Sequence, residues 1–184
     1  DDDLGRGTVF FCILNYIQTK LPKVFISENV KGFATIVKGR TMQKVLNLLR
    51  KVKMNKSNDK AYHVHWKILN TRDYGIPHSR PRWYCVGILA RSKHASGFTF
   101  PEPIRCPSLE SFLDHKEVPS DMSKEASLTA STNIQIQCGK IVKLGYEPNS
   151  EPYVIDCDAS KEKSGLMYDM SPCITRSRIH GHYL

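Results

Sequence analysis

The sequence predicts an α/β fold, because segments of helical and strand-like pattern alternate along its first half. Helical patterns cover residues 9–18 and 41–53, and short runs rich in β-branched and aromatic residues occupy 23–27, 62–69 and 83–89. The chain has 184 residues, of which 40% are hydrophobic, and this is enough for a sizeable core. In sheets of this class ligands bind at strand ends, so polar residues there are the first candidates for a site.

The first three elements carry the clearest patterns. Residues 9–18 (VFFCILNYIQ) are apolar on most sides, which predicts a buried helix that ends before Pro22. Residues 23–27 (KVFIS) predict a buried strand whose C-terminal end lies at Glu28. Apolar residues then recur at helical spacing over 41–53, which predicts an amphipathic helix.

The second half of the chain has a different character. Residues 108–114 (SLESFLD) predict one short helix, whereas residues 118–133 are rich in Ser, Thr and small residues and predict a linker or long loop. Three β-like runs follow, at 134–137 (IQIQ), 140–146 (KIVKLGY) and 153–157 (YVIDC). They predict a second, smaller region that contains β-structure.

The charge balance favours a polyanionic partner. Lys and Arg total 27 against 18 Asp and Glu, which leaves a formal net charge of +9. Nine basic residues lie between Lys38 and Lys67, where Asp59 is the single acidic residue. This segment suits contact with phosphates, and the alternative is an ordinary solvated helix face.

The six cysteines indicate neither a disulfide framework nor a zinc site, since they are scattered and form no C-x-x-C pair. Cys12 lies in the apolar helix and is predicted to be buried. We therefore expect a reducing, intracellular setting. No apolar run approaches the roughly 18 residues of a membrane span.

A carboxylate directly after a predicted strand is the first site candidate. Glu28 alone reads equally well as a site residue and as an ordinary carboxylate, either solvated or paired with a helix N-terminus. A second polar feature lies further on, where a turn at 75–77 precedes Arg80 and Arg82. Their spacing of two on an extended chain predicts that both guanidinium groups point to one side. The alternative for both arginines is pairing with surface carboxylates.

Three segments together resemble the cytosine-C5 DNA methyltransferases. RGTVFF (6–11), SENV (27–30) and DYGIPHSRPRWYCVGI (73–88) are similar to motifs V, VI and VIII of that family, in the same order and at similar separations. The bacterial restriction-modification enzymes are the most similar type. His78 stands where the family usually has Gln, and Pro81 separates the two arginines.

The resemblance implies roles for the polar residues. In the family, the glutamate of ENV holds N3 and the 4-amino group of a flipped cytosine and acts as a general acid, a role that falls on Glu28 here. Asn29 is expected to brace the loop. Arg82 matches the arginine that contacts the cytosine O2, and Arg80 matches its neighbour, since a guanidinium stays charged and donates in a fixed plane.

The resemblance also implies a cofactor and an architecture. It predicts a partial Rossmann-like domain that depends on S-adenosylmethionine, with the apolar side chain of Val9 against the cofactor. Gly7 and Thr8 would shape the turn into the helix, although both also suit an ordinary helix start.

Double-stranded DNA is the partner that the resemblance implies. We assign residues 1–103 to the catalytic domain, 104–133 to a linker and 134–184 to part of a target recognition domain. The residues expected to contact DNA there are Arg176, Arg178 and His180. A zinc site is not expected beside them. A monomer is compatible with the sequence, which leaves the oligomeric state open.

The family's nucleophile is a cysteine in a Pro-Cys-Gln loop upstream of motif V, and residues 1–184 contain no such tripeptide. Cys173 follows a proline but precedes Ile174, so we assign it a structural role. We therefore expect a piece of a longer enzyme that is inactive alone. The alternatives are a tRNA cytosine-5 methyltransferase and a catalytically dead, DNA-binding or regulatory relative.

Overall fold

The computed structural model describes most of the chain as two compact units. The first unit comprises residues 1–69 and 81–102, and the second comprises 70–80 and 103–184. The described residues are 8–54, 58–93, 95–113, 128–148, 152–157 and 165–173, with the backbone of 182–183.

The first unit is built on a three-stranded sheet. Its strands are β1 (Val24–Val30), β2 (Tyr62–Asn70) and β3 (Pro81–Leu89), in the order β1, β3, β2. The central strand β3 runs antiparallel to β1, with Phe25 opposite Gly87. All three predicted strands of this half are therefore present, and β1 extends two residues past the predicted end at Glu28. No residue of β1 is buried, because it is an edge strand, so its predicted burial was wrong.

Helix α1 (Thr8–Lys20) is present as predicted, but it is not buried on all sides. Leu14 and Ile17 are 7% and 2% exposed and join the core. Phe11 and Tyr16 on other sides are each 60% exposed, and Cys12 is also exposed, so both burial predictions were wrong. A helix that is apolar all round has no preferred face, and only contact with the rest of the unit selects one.

Helix α2 (Arg40–Arg50) confirms the predicted amphipathic pattern. Met42, Leu46 and Leu49 recur every three or four residues, and all three are buried in the core of the first unit. Two 3₁₀ turns, Lys31–Ala34 and Ile36–Gly39, connect β1 to this helix.

The second unit differs most from the sequence prediction. Helix α3 (Leu128–Lys143) occupies the segment in which two strands and the end of a linker were predicted. The sequence IQIQ alternates between apolar and polar residues as a strand does, but only over four residues. Over the whole helix the buried positions recur at three and four residues, which is the helical period. These positions are Ala130, Asn133, Gln137 and Ile141.

The rest of this unit contains short elements. The predicted strand at YVIDC is confirmed by β4 (Tyr153–Asp156), which lies between β5 (Leu166–Tyr168) and β6 (His182–Tyr183). The short helix expected at 108–114 is a single 3₁₀ turn, Leu109–Phe112. Within the described residues, no helix is long and apolar enough to cross a membrane.

Candidate active site

Glu28 lies near the end of the edge strand β1. The strand alternates between half-buried residues, Phe25 and Ser27, and exposed residues that include Glu28. The Glu28 side chain retains 46% exposure. Its carboxylate is therefore held on a strand while remaining accessible from solvent.

Arg82 binds this carboxylate. Its Nε donates to Glu28 Oε1 at 2.9 Å, and its Nη1 donates to the carbonyl oxygen of Pro81 at 3.0 Å. The register places Val30 opposite Arg82 and Tyr84 opposite Glu28, so the paired side chains are diagonal neighbours on adjacent strands. The Arg82 side chain is only 15% exposed, which orients the guanidinium and strengthens this charge-assisted hydrogen bond.

The Glu28 carboxylate remains open to a ligand. Its recorded contact is the ion pair of Oε1 with Arg82, and the side chain is still 46% exposed. A carboxylate that is oriented by an arginine and accessible from solvent is suited to recognise a hydrogen-bond donor on a ligand.

Asn29 braces the backbone beside Glu28. Its side-chain Oδ1 accepts from the backbone N–H of Val30 at 2.8 Å, at the point where β1 passes into a 3₁₀ turn. Asn29 also lies opposite Trp83 of β3. The contact fixes the end of the strand that carries the carboxylate.

A cavity of about 280 Å³ lies beside Glu28. It brings together Val9 from α1 with Glu28 and Asn29 from β1, so residues singled out in two separate sequence motifs share one cavity. The remaining walls are mainly apolar and come from α1, the first 3₁₀ turn, α2 and β3. These lining residues are Phe10, Ile13, Ser27, Phe33, Val45, Leu49 and Trp83.

Phe33 and Trp83 were not singled out from the sequence. Their rings meet edge to face, with centroids 5.0 Å apart. Trp83 is only 2% exposed, and within the described part of the chain its indole N–H makes no hydrogen bond. A tryptophan in an apolar strand pattern reads as core, so its place in the cavity wall had no sequence signal.

Arg80 lies in the second unit, just before β3. Its backbone N–H donates to Asn70 Oδ1 at 2.8 Å, and its Nη1 lies 3.1 Å from the Sγ of Cys173. Arg80 and Arg82 therefore contact different partners, and only Arg82 lies within a strand. That both guanidinium groups point to one side stays a prediction. Pro81, between them, begins β3.

Residues 77–79 and 171 pair through their backbones. Ser171 N–H donates to Pro77 O at 2.7 Å, and Ser79 N–H donates to Ser171 O at 2.8 Å. These contacts hold the Arg80 segment against the chain that carries Cys173. The two segments are far apart in sequence, so no local pattern indicated this contact.

The other predicted site residues are placed only in part. Thr8 is the first residue of α1, and Val9 follows it with 58% exposure. Gly7, Arg176, Arg178 and His180 lie outside the described residues. Among the residues that are described, no group of three or more His, Cys, Asp or Glu is placed to hold a metal ion.

The chain belongs to the C-5 cytosine-specific DNA methylase family, whose model matches residues 1–174. This membership confirms both the predicted resemblance and the α/β methyltransferase class of the fold. Among solved structures, the Schizosaccharomyces pombe Dnmt2 methyltransferase matches over 67% of this chain and 38% of that chain, with 23% identity and a TM-score of 0.44.

Curated relatives are Type II methyltransferases of bacteria. M1.ScrFI of Lactococcus lactis subsp. cremoris is 38% identical over 125 residues, which are 65% of this chain and 30% of the relative. M.HhaI of Haemophilus parahaemolyticus is 32% identical over 147 residues, which are 77% of this chain and 41% of the relative. The chain thus spans less than half the length of either relative.

Proposed function

We propose that this chain is part of an enzyme that transfers a methyl group from S-adenosylmethionine to C5 of a cytosine in double-stranded DNA. The observation that carries the proposal is the Glu28–Arg82 pair at the edge of a cavity that also contains Val9 and Asn29. Membership of the DNA methylase family supports the reaction class.

Cytosine C5 is a poor nucleophile, so the ring must be activated before C5 can take a methyl group. Addition of a thiolate at C6 makes C5 enamine-like, and negative charge then develops toward N3. In the proposed reaction Glu28 holds N3 and the 4-amino group and delivers a proton at N3. After C5 has taken the methyl group, a general base removes the C5 proton, the thiolate leaves C6, and the N3 proton returns to Glu28, which restores the aromatic ring. The base reaches Glu28 only if it leaves the DNA stack, and we include base flipping in the proposal.

Arg82 has two parts in this proposal. Its contact with Oε1 orients the Glu28 carboxylate, and we assign Oε2 to the ligand. Its permanent positive charge also stabilises negative charge that develops on the ring, and we assign it contact with the cytosine O2. Asn29 supports the same geometry through the backbone of Val30.

The cavity fits part of the cofactor. Its volume of about 280 Å³ lies just below the usual range of small-molecule sites, about 300 to 1,000 Å³, so it admits a portion of S-adenosylmethionine. Apolar contact from Val9 and the aromatic wall of Phe10 and Phe33 suits such a portion. When bound, S-adenosylmethionine supplies the methyl group.

The remaining roles extend the same proposal. We assign Arg176, Arg178 and His180 to DNA contact, Arg80 to support of the site, and Gly7 and Thr8 to the turn before Val9. Because residues 1–184 contain no Pro-Cys-Gln tripeptide, we propose that they do not transfer methyl groups without a thiolate from elsewhere. Turnover by these residues alone would contradict that part.

The decisive experiment compares Glu28→Gln with Glu102→Gln in the protein that contains this chain. Glu102 is an exposed carboxylate of the same unit and provides the same chemical change away from the cavity. We expect Glu28→Gln to lower methyl transfer about 10²- to 10⁴-fold and to leave DNA binding largely intact, because proton transfer is lost while phosphate contacts remain. Glu102→Gln should act as wild type.

Transfer is measured on duplex DNA and on tRNA in parallel. Near-normal turnover of Glu28→Gln would contradict the assigned role. Turnover on tRNA alone would show the tRNA enzyme instead. DNA binding by the wild type without turnover on either substrate would indicate the regulatory relative.

A further inference from the structure

Helix α2 presents two unlike faces. One face is buried in the core, with Met42, Leu46 and Leu49 at 6%, 0% and 1% exposure. The opposite face is exposed and carries only cationic and amide side chains. We call this face the α2 stripe, and its residues are Arg40, Gln43, Lys44, Asn47, Arg50 and Lys51.

The α2 stripe lies in the segment of the chain with the most one-sided charge. Residues 29–58 contain eight Lys and Arg and no Asp or Glu, whereas the net charge of all 184 residues is +9. Residues 60–105 are also basic, with eight Lys and Arg against two Asp and Glu, and the remaining residues are net negative. Residues 29–58 differ from the rest in containing no acidic side chain at all.

An ordinary solvated helix face would mix the two signs. Exposed helices usually pair Glu with Lys four residues apart, and like charges at that spacing are destabilising by a few tenths of a kcal/mol. Arg40 and Lys44 have this like-charge spacing. Among the described residues neither forms an ion pair, and the Arg40 Nε instead donates to the carbonyl oxygen of Val37 at 3.3 Å. Such uncompensated repulsion is relieved when a polyanion lies on the stripe.

The geometry of the stripe suits a repeating anion. Arg40, Lys44, Asn47 and Lys51 follow one another at four, three and four residues, so they form one line of about 16 Å along the helix axis. Phosphates of one B-DNA strand advance about 3.4 Å each along the duplex axis while they wind around it, so a straight line of this length reaches some of the about five phosphates that it spans axially. At its N-terminal end the stripe borders an open groove of about 520 Å³, which Lys38 also lines.

The exposed side chains select among polyanionic partners. A membrane-surface helix would offer an apolar face to lipid, but the apolar face of α2 is already buried in the core of its own unit. The stripe carries no aromatic residue on which an unpaired base would stack. Charge without stacking groups fits a duplex backbone.

We propose that the α2 stripe, together with Lys38, binds the sugar-phosphate backbone of duplex DNA without reading its sequence. This rests on the proposed function for the choice of DNA. The surface is separate from the Glu28 cavity in its chemistry, since it offers several positive charges in place of a carboxylate beside apolar walls.

The test neutralises three lysines of this surface, Lys38→Gln, Lys44→Gln and Lys51→Gln, in one variant. Its matched control carries Lys23→Gln, Lys67→Gln and Lys93→Gln, which are exposed in the same unit and change the charge equally. Binding of a duplex of about 20 base pairs and of tRNA is followed by fluorescence anisotropy between about 50 and 200 mM salt. Circular dichroism checks that both variants are folded.

We expect the stripe variant to bind duplex DNA at least about tenfold more weakly at low salt. The slope of log K against log salt should become shallower by about 2 to 3, because each lost phosphate contact removes about 0.9. Equal behaviour of the two triple variants would overturn the inference, and so would a larger loss on tRNA than on the duplex.

The two proposals can fail separately. If the wild-type protein methylates DNA while the stripe variant binds like its control, the stripe inference alone is wrong. If the stripe variant loses duplex binding while the wild-type protein transfers no methyl group, the proposed reaction alone is wrong.

Discussion

At the scale of single residues, the pairing of Glu28 with Arg82 joins an accessible carboxylate to a mostly enclosed guanidinium. Glu28 is 46% exposed and Arg82 is 15% exposed. Water screens much of the attraction at the carboxylate, so the pair contributes little to the stability of the fold. The pair instead orients the Glu28 carboxylate, since the contact between Arg82 and Oε1 favours one rotamer of Glu28 on the strand.

This asymmetry predicts that Glu28→Gln is stable. We expect its free energy of unfolding, measured by urea denaturation, to lie within about 1 kcal/mol of wild type, because an exposed ion pair is worth at most about that much. A loss of several kcal/mol would mean that the carboxylate is structural, and lower activity of the variant would then report unfolding.

At the scale of elements, the connection into α2 depends on a left-handed turn. Val37, Lys38 and Gly39 have φ values of 49°, 54° and 81° in succession. Only Gly39 adopts this conformation without strain, and a Cβ added to it would lie 3.2 Å from the carbonyl oxygen of Ala34. Helix α2, which carries the α2 stripe, is therefore preceded by a position at which the backbone conformation requires glycine.

Gly39→Ala should destabilise the protein by about 1 to 2 kcal/mol, since an L-residue in the left-handed region costs about that much. Gly32→Ala is the matched control, because Gly32 lies in the neighbouring 3₁₀ turn and an added Cβ there meets no atom within 4 Å. We expect the control to be neutral or slightly stabilised. Equal unfolding midpoints for the two variants would contradict this account of the turn.

The elements also show where sequence patterns suffice. Helix α2 was predictable because its apolar residues all lie on one face of the helix, and this pattern indicates which face is buried. Helix α1 was predictable as a helix but not in its orientation, because apolar residues surround it. Helix α3 was missed because a four-residue alternation was read without the longer period around it, in which Asn133 is a buried position.

Asn133 illustrates why that longer period was hard to read. It is 1% exposed, and its side-chain N–H donates to the carbonyl oxygen of Cys157 at 2.9 Å. A buried amide is tolerated only with such a partner. Since Cys157 follows β4, the sequence around Asn133 gave no sign that a polar residue belongs on the inner face of a helix.

At the scale of the whole molecule, the arginine motif is divided between the two units. Residues 70–80, with Arg80, belong to the second unit, and β3, with Arg82, belongs to the first. A division of the chain into consecutive domains cannot represent this arrangement. The assignment of 134–184 to target recognition stays a prediction. One continuous motif therefore supplies residues to both units.

The core of the first unit makes stability sensitive to high pH. Burial raises the pKa of the Cys85 thiol from 9.0 to about 12, although Arg50 opposes the shift, and burial raises the pKa of Tyr62 from 10.0 to about 12. The unfolded chain releases both protons first. The contribution of these two protonated groups to the free energy of unfolding is therefore fully present below pH 9, and it is lost as the pH rises toward 12.

We expect the free energy of unfolding to fall steadily above about pH 9 in urea titrations. Tyr62→Phe keeps the ring that packs edge to face on Phe25, and it removes the hydroxyl that donates to the carbonyl oxygen of Pro22 at 2.8 Å. This variant should be less stable at neutral pH by about 1 kcal/mol and should lose stability less steeply above pH 10. A flat profile for wild type would contradict the assignment.

The sequence by itself determined the α/β class, the helices and strands of the first unit, strand β4 and the family. These features depend on residue periodicity and on contiguous motifs, which are local properties. The same motifs singled out Glu28 and Arg82 as site candidates before any contact between them was known.

Only the tertiary structure decided which side chains meet. It paired Glu28 with Arg82 across two strands, placed Val9 and Glu28 on the wall of one cavity, set Arg80 against Cys173 and selected the buried face of α1. Each of these contacts joins residues far apart in the chain or selects one of several equivalent faces. Strand register and packing set such distances, and no local pattern records them.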